Sequence, residues 1–185
     1  MQNLRDFVRQ TLLEAAGKMY WGVAGAGIVF VCPEEQKVFL QKRSSEVMGG
    51  AGQWAFPGGG IHPKGKEERK WVVPIPERYV LPDNSPEFYK QAKIEVAEEC
   101  GSVPKHKVVD SYLYHDLGFK YRTFIATVTP KTKKAWHPEA EEESAWESTN
   151  HGWATLEQFG QLNLFFGFTP ELITKVKKAM TKSTS

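Results

Sequence analysis

Two cysteines, Cys32 and Cys100, are all that this 185-residue chain contains, and no metal-ligand spacing links them. A disulfide framework is therefore not supported, and a reducing cytoplasm is the expected setting. Long apolar runs are also missing. The longest, Val23 to Cys32, is too short to span a bilayer and is interrupted by Gly25 and Gly27. The first residues, Met1 to Arg9, interleave charges with apolar side chains, unlike a signal peptide. A soluble protein without a membrane partner is expected. Charge of one sign is scarce as well: the formal net charge is +2, which gives no reason to expect a nucleic-acid surface. The lysines near the C-terminus (Lys175, Lys177, Lys178 and Lys182) read as a solvated helix face. The five histidines show no paired spacing, so none is assigned to a metal.

What remains is an ordinary globular composition, 41% hydrophobic and 25% charged. The length fits one domain over residues 1–185 with a full core. Residues 3–16 place Leu4, Phe7, Val8, Leu12 and Ala15 at helical spacing. Trp21 to Val31 reads as a buried strand. Lys37 to Arg43 follows as its antiparallel neighbour across Pro33-Glu34-Glu35. Ser44 to Gly52 reads as a loop, and the glycine triplet at 58–60 as another. Residues 66–84 combine charge with Pro74, Pro76 and Pro82, which fits an inserted loop rather than a central strand or helix. Val108–Tyr114 and Tyr121–Thr129 alternate as strands, Pro138–Glu143 is an acidic loop, and Gly152-Trp153-Ala154 is a short strand. A helical turn is expected at 156–159, and Thr169-Pro170-Glu171 opens a final helix over about 170–182. Strands on both sides of one central helix argue for an α/β or α+β sandwich rather than a βαβ array.

That central helix carries the unusual feature. Ser85 is a good N-cap, Pro86 suits the first helical position, and Gly101 suits the left-handed residue beyond the end. Its last turn holds Glu95, Glu98 and Glu99, which i, i+3 and i+4 spacing puts on one face. Negative charge at a helix C-terminus opposes the macrodipole, at about 0.3–1 kcal/mol. The Glu95/Glu99 repulsion adds about 0.2–0.5 kcal/mol. A solvated charged face is one reading, but such a face normally carries Lys or Arg at i±3 or i±4. These glutamates have none. The other reading is a divalent cation, since hard cations such as Mg²⁺ take carboxylate oxygens.

The glycine triplet changes the odds. Trp54-Ala55-Phe56-Pro57-Gly58-Gly59-Gly60-Ile61 upstream, with Ile94-Glu95-Val96-Ala97-Glu98-Glu99-Cys100-Gly101 downstream, resembles the box of the Nudix hydrolase family. That box reads Gly-x5-Glu-x7-Arg-Glu-U-x-Glu-Glu-x-Gly-U, with U aliphatic. The resemblance covers roughly residues 20–170 and departs from the pattern in three places. The box is split, with 26 residues between Glu67 and Ile94 where the family has seven, an insertion of 19. Ile94 stands in the arginine position, so Glu95 lacks its usual orienting partner. The early glutamate falls at Lys66 or Glu67.

The resemblance implies a Nudix-type α/β/α sandwich with a mixed sheet, and hydrolysis of a phosphoanhydride. It implies Mg²⁺ (or Mn²⁺) held by Glu95, Glu98 and Glu99, with the main-chain carbonyl near Gly59 completing the shell. Glu98 and Glu95 would be catalytic with Glu147 as base, and Glu143 is the second choice for that role. Gly58, Gly59 and Arg43 would contact substrate, although a surface role for Arg43 is equally compatible. The aromatics at 112, 114, 119 and 124 could stack on a base or simply pack the core. The implied partner is a nucleotide-type small molecule such as ADP-ribose, a dinucleoside polyphosphate or a modified nucleoside triphosphate. For the insertion, a lid, a homodimer contact and surface elaboration are all open. The alternative function is a non-catalytic Nudix-fold module that binds a nucleotide or a protein, and a third reading is an unrelated fold with a chance glycine run.

Overall fold

The computed structural model describes residues 22–46, 50–61, 77, 80–116, 119–139, 148–165 and 167–181. The expected N-terminal helix, most of the 66–84 insertion, and Glu143 and Glu147 lie outside these residues. Among the described residues, no helix is long and apolar enough to cross a membrane.

Among the described residues, seven strands form one mixed sheet: β1 (Ala24–Cys32), β2 (Lys37–Arg43), β3 (Trp54–Ala55), β4 (Gly58–Ile61), β5 (Lys107–Asp116), β6 (Phe119–Thr127) and β7 (Ser148–Thr155). The path runs β3-β2-β1-β6-β5, with β4 on β1 and β7 on β2. β1 is buried along its whole length. Its β-branched and aromatic run suits a central strand covered on both faces. It pairs in parallel with β6, antiparallel with β4 at one end (Ala24–Gly27), and antiparallel with β2 at the other (Val31, Cys32). The sheet therefore splits along one side of β1, with β4 and β2 flanking the opening.

The α-helices among the described residues are α1 (Pro86–Cys100), α2 (Pro130–Ala135), α3 (Leu156–Gln161) and α4 (Pro170–Thr181). Period-2 alternation along β1 feeds two cores. Ala24, Ala26, Ile28, Phe30 and Cys32 pack with Phe88, Ala92, Val96 and Cys100 of α1. Val29 and Val31 face the other way, onto Phe159 of α3 and Leu172, Val176, Ala179 and Met180 of α4. This is the expected α/β/α sandwich with a mixed sheet. Both cysteines are free and buried.

Helix ends follow their local signals. The Ser85 hydroxyl accepts from the Glu87 N–H, and Gly101 adopts φ 70° at the C-terminus of α1. Thr169 Oγ accepts from the Leu172 N–H at the start of α4, and Thr155 with Gln158 forms a capping box on α3.

Two readings are corrected, and one helix is added. The glycine triplet is not a loop but strand β4, because Gly58–Ile61 pair with Ala24–Gly27. β7 extends over eight residues rather than three, since it pairs with all of β2. Helix α2 was unexpected: at six residues with three lysines it is too short and polar to show periodicity. Its signal was present as Thr129-Pro130, the same cap-and-proline pair that opens α4.

Candidate active site

The last two turns of α1 lie against the split in the sheet, and each glutamate meets a different environment there. Glu99 is only 9% exposed, and its Oε2 accepts from Nε2 of Gln41 on β2. Glu95 is half-buried, and its Oε1 accepts from Gln91 Nε2 at 2.6 Å, one helical turn back. Its carboxylate also rests on β4, where a Cβ at Gly59 would occupy the carboxylate's own space. The absent side chain is thus what admits Glu95 to the sheet. Glu98 is exposed on the rim. Ile94, in the position where an arginine was missed, is 38% exposed. Gln91 supplies Glu95 with the fixed partner that Ile94 cannot.

On the reverse face of β1 and β4, the Tyr121 ring lies over Gly25 and its hydroxyl over Gly58; neither glycine leaves room for a Cβ. The phenol is pushed well above its usual pKa, first by burial and then by the charges of Glu99 and Glu95, while Arg43 pulls it down. Arg43 ends β2, two residues beyond the Gln41 that bonds Glu99. The Arg43 guanidinium sits 4.7 Å from the centroid of the Phe165 ring. Beside Glu99, the Cys100 thiol is raised far above its ordinary value by burial and by that carboxylate. It is a packing residue rather than a nucleophile.

The structure thus brings together Glu95 and Gly59, and Glu99 with Gln41 of β2, while Gly58 opens onto the other face of β4, Arg43 ends β2 two residues beyond Gln41, and Glu98 is exposed. Gln41, Gln91, Tyr121 and Phe165 were not foreseen. Gln91 was findable, because it lies four residues before Glu95 on the same helical face. Gln41 was not, because its partner is 58 residues away. Among the aromatics considered for base stacking, Phe119 packs on Val23, Phe124 on the α1-side core and Tyr112 on the α4-side core.

Among the described residues, no group of three or more His, Cys, Asp or Glu side chains is placed to hold a metal ion. The chemistry of the donors present is the kind a hard cation takes. The donors are oxygens only, two of them carried on successive turns of one helix, and Glu95 is seated in a cradle that any side chain at Gly59 would fill.

No family model matches the sequence, and no curated protein matches it. Solved structures do match. A MutT protein from Methanosarcina mazei is 16% identical, with 86% of this chain and 95% of that one covered at a TM-score of 0.51. The NUDIX domain of Shewanella oneidensis NrtR, solved with ADP-ribose, is 18% identical, covering 91% and 98% at 0.50. An Ap4A hydrolase of C. elegans, solved as a binary complex, is 14% identical, covering 84% and 93% at 0.50. The chain has the Nudix fold.

Proposed function

We propose that the chain is a Nudix-type hydrolase that cleaves the phosphoanhydride of a nucleoside diphosphate linked to another moiety, with Mg²⁺ or Mn²⁺ as its cation. The observation that carries this reading is the seating of Glu95 and Glu99 at the split beside the side-chain-free Gly59, within the Nudix fold. Neighbours of that fold solved with ADP-ribose, or named as an Ap4A hydrolase, support a nucleotide-type substrate. Residues 1–185 are taken as one domain.

Glu95, Glu98 and Glu99 would hold the cation, with the main-chain carbonyl near Gly59 as a further oxygen. When bound, such a cation neutralises charge developing on the phosphoryl oxygens and acidifies water. The chain's own part is preorganisation. Gln41 and Gln91 hold two carboxylates in fixed directions before substrate arrives, so little reorganisation remains for the reaction. Glu98 is exposed and open to water. Glu147, which lies outside the described residues, would accept a proton from the attacking water. Gly58 and Gly59 leave the room that the Tyr121 hydroxyl and the Glu95 carboxylate take on the two faces of β4, and Arg43 donates to a phosphate oxygen.

Purified protein with Mg²⁺ should release a nucleoside monophosphate or inorganic phosphate from at least one compound of a nucleoside-diphosphate panel. Glu98→Gln should abolish that turnover while the circular dichroism stays native. Ile94, exposed where the family has an arginine, favours a second reading, a binding module without catalysis. Ligand binding with no turnover of any panel member would assign that function instead.

A further inference from the structure

Arg43 ends β2, and a distant part of the chain holds it. The backbone of residues 163–165 runs beside β3: the Trp54 N–H donates to the Asn163 carbonyl at 2.9 Å, and the Phe165 N–H to the Trp54 carbonyl at 2.8 Å. The bridge is parallel, Trp54 opposite Leu164. Gln53 Nε2 adds a bond to Asn163 Oδ1 at 3.2 Å. This strap sets the Phe165 ring on Gly50, whose φ of 69° and lack of a side chain leave the ring its place. Arg43 belongs to the same frame, since its N–H donates to the Gln53 carbonyl at 2.9 Å and its carbonyl accepts from Gly52 N–H at 3.0 Å. The guanidinium then lies over the ring.

A stacked arginine uses its flat face, whereas its N–H donors point outward in the guanidinium plane, toward an anion's oxygens. Stacking also removes rotamer freedom that binding would otherwise have to freeze. We infer that Phe165 is a positioning residue, whose ring holds the Arg43 guanidinium, two residues along β2 from the Gln41 that bonds Glu99, so that it meets a phosphate of the bound nucleoside diphosphate. The inference rests on the hydrolase reading for its substrate, and assigns to the α3–α4 connection a role in affinity that no box motif carries.

The test uses the full chain with ADP and Mg²⁺ in isothermal titration, alongside steady-state kinetics on whichever panel compound is turned over. Phe165→Leu should raise the Kd for ADP about 3- to 10-fold, the range of a partly desolvated cation–π contact. KM should rise in parallel, with kcat unchanged within about twofold. Phe165→Tyr keeps the π face and should bind as the wild type does. In an Arg43→Met background, Phe165→Leu should cause no further loss, because the ring would have nothing left to position. If Phe165→Leu does not fold, Phe165→Met takes its place in each comparison. Unchanged binding in the apolar variant, equal loss in Leu and Tyr variants, or the same Phe165→Leu penalty without Arg43 would each overturn the inference. A wild-type chain that neither binds ADP nor turns over any panel compound would instead overturn the hydrolase reading.

Discussion

Gly59→Ala adds a single methyl group to the strand that receives Glu95, and its consequences can be worked from the coordinates. The new Cβ would fall among the Glu95 carboxyl atoms, and the farthest of the three, Oε1, would be 2.6 Å away. Unstrained contact needs about 3.5 Å, so the carboxylate must withdraw by about 1 Å. The same Oε1 accepts the Gln91 hydrogen bond at 2.6 Å, which lengthens or breaks as it moves. Because the obstructing atoms are the end of a flexible, half-buried side chain rather than backbone, the loss of folding stability should be about 1 kcal/mol or less. Catalytic geometry is less forgiving, and a misplacement of about 1 Å can cost about a hundredfold in rate. The expected result is a large fall in kcat/KM, with weaker Mg²⁺ dependence, in a protein whose melting temperature barely changes. Gly152→Ala on β7 is the control, because nothing lies within 4 Å of its added Cβ, and it should leave kcat/KM untouched. Wild-type kcat/KM in Gly59→Ala would refute the seating of Glu95 on β4 as a functional contact. Loss of activity only in step with loss of fold would refute it equally.

Gln41→Leu removes the donor to a buried carboxylate, which should cost about 1–3 kcal/mol in thermal or urea unfolding. Saturating Mg²⁺ should stabilise the native wild type by about 2.7 kcal/mol at one hundred times its Kd, and an unchanged melting temperature would exclude a native-state cation site. Glu35 should titrate below an ordinary glutamate, because the Lys133 hydrogen bond at 2.9 Å, aided by Lys37, outweighs desolvation. A depressed native pKa contributes stability above the unfolded value of about 4.3 and loses it as pH falls through the folded one. Lys133→Met should therefore move the Glu35 carboxyl back up in an NMR titration, and a fixed pKa would contradict the pairing. Gly160→Ala on α3, where a Cβ meets open space, should stabilise by about 0.5–1 kcal/mol in thermal melts.

Much of the architecture was legible because it is local. The ends of α1 and α4 lie where Ser85-Pro86, Gly101 and Thr169-Pro170 put them, since caps depend on neighbours three or four residues away. The same Thr-Pro signal at 129–130 marked α2 and was obscured only by the helix's length and lysines. The glycine triplet misled because three residues without side chains read as a turn in isolation. Their extended backbone comes from pairing with β1, and that pairing leaves space for Tyr121 on one face and Glu95 on the other.

The carboxylate cluster divides along the same line. Sequence alone determined that Glu95, Glu98 and Glu99 share the end of one helix, which follows from i, i+3, i+4 geometry, that the helix ends at Gly101, which follows from glycine's access to the left-handed region, and that Ile94 stands where the pattern the chain resembles has an arginine. Only the tertiary structure decided that Glu99 is buried on Gln41, that Glu95 is seated on Gly59, that Glu98 faces water, and that Phe165 stands behind Arg43. Those contacts join segments tens of residues apart. Their strength depends on burial, which no local pattern encodes until the sheet has closed around them.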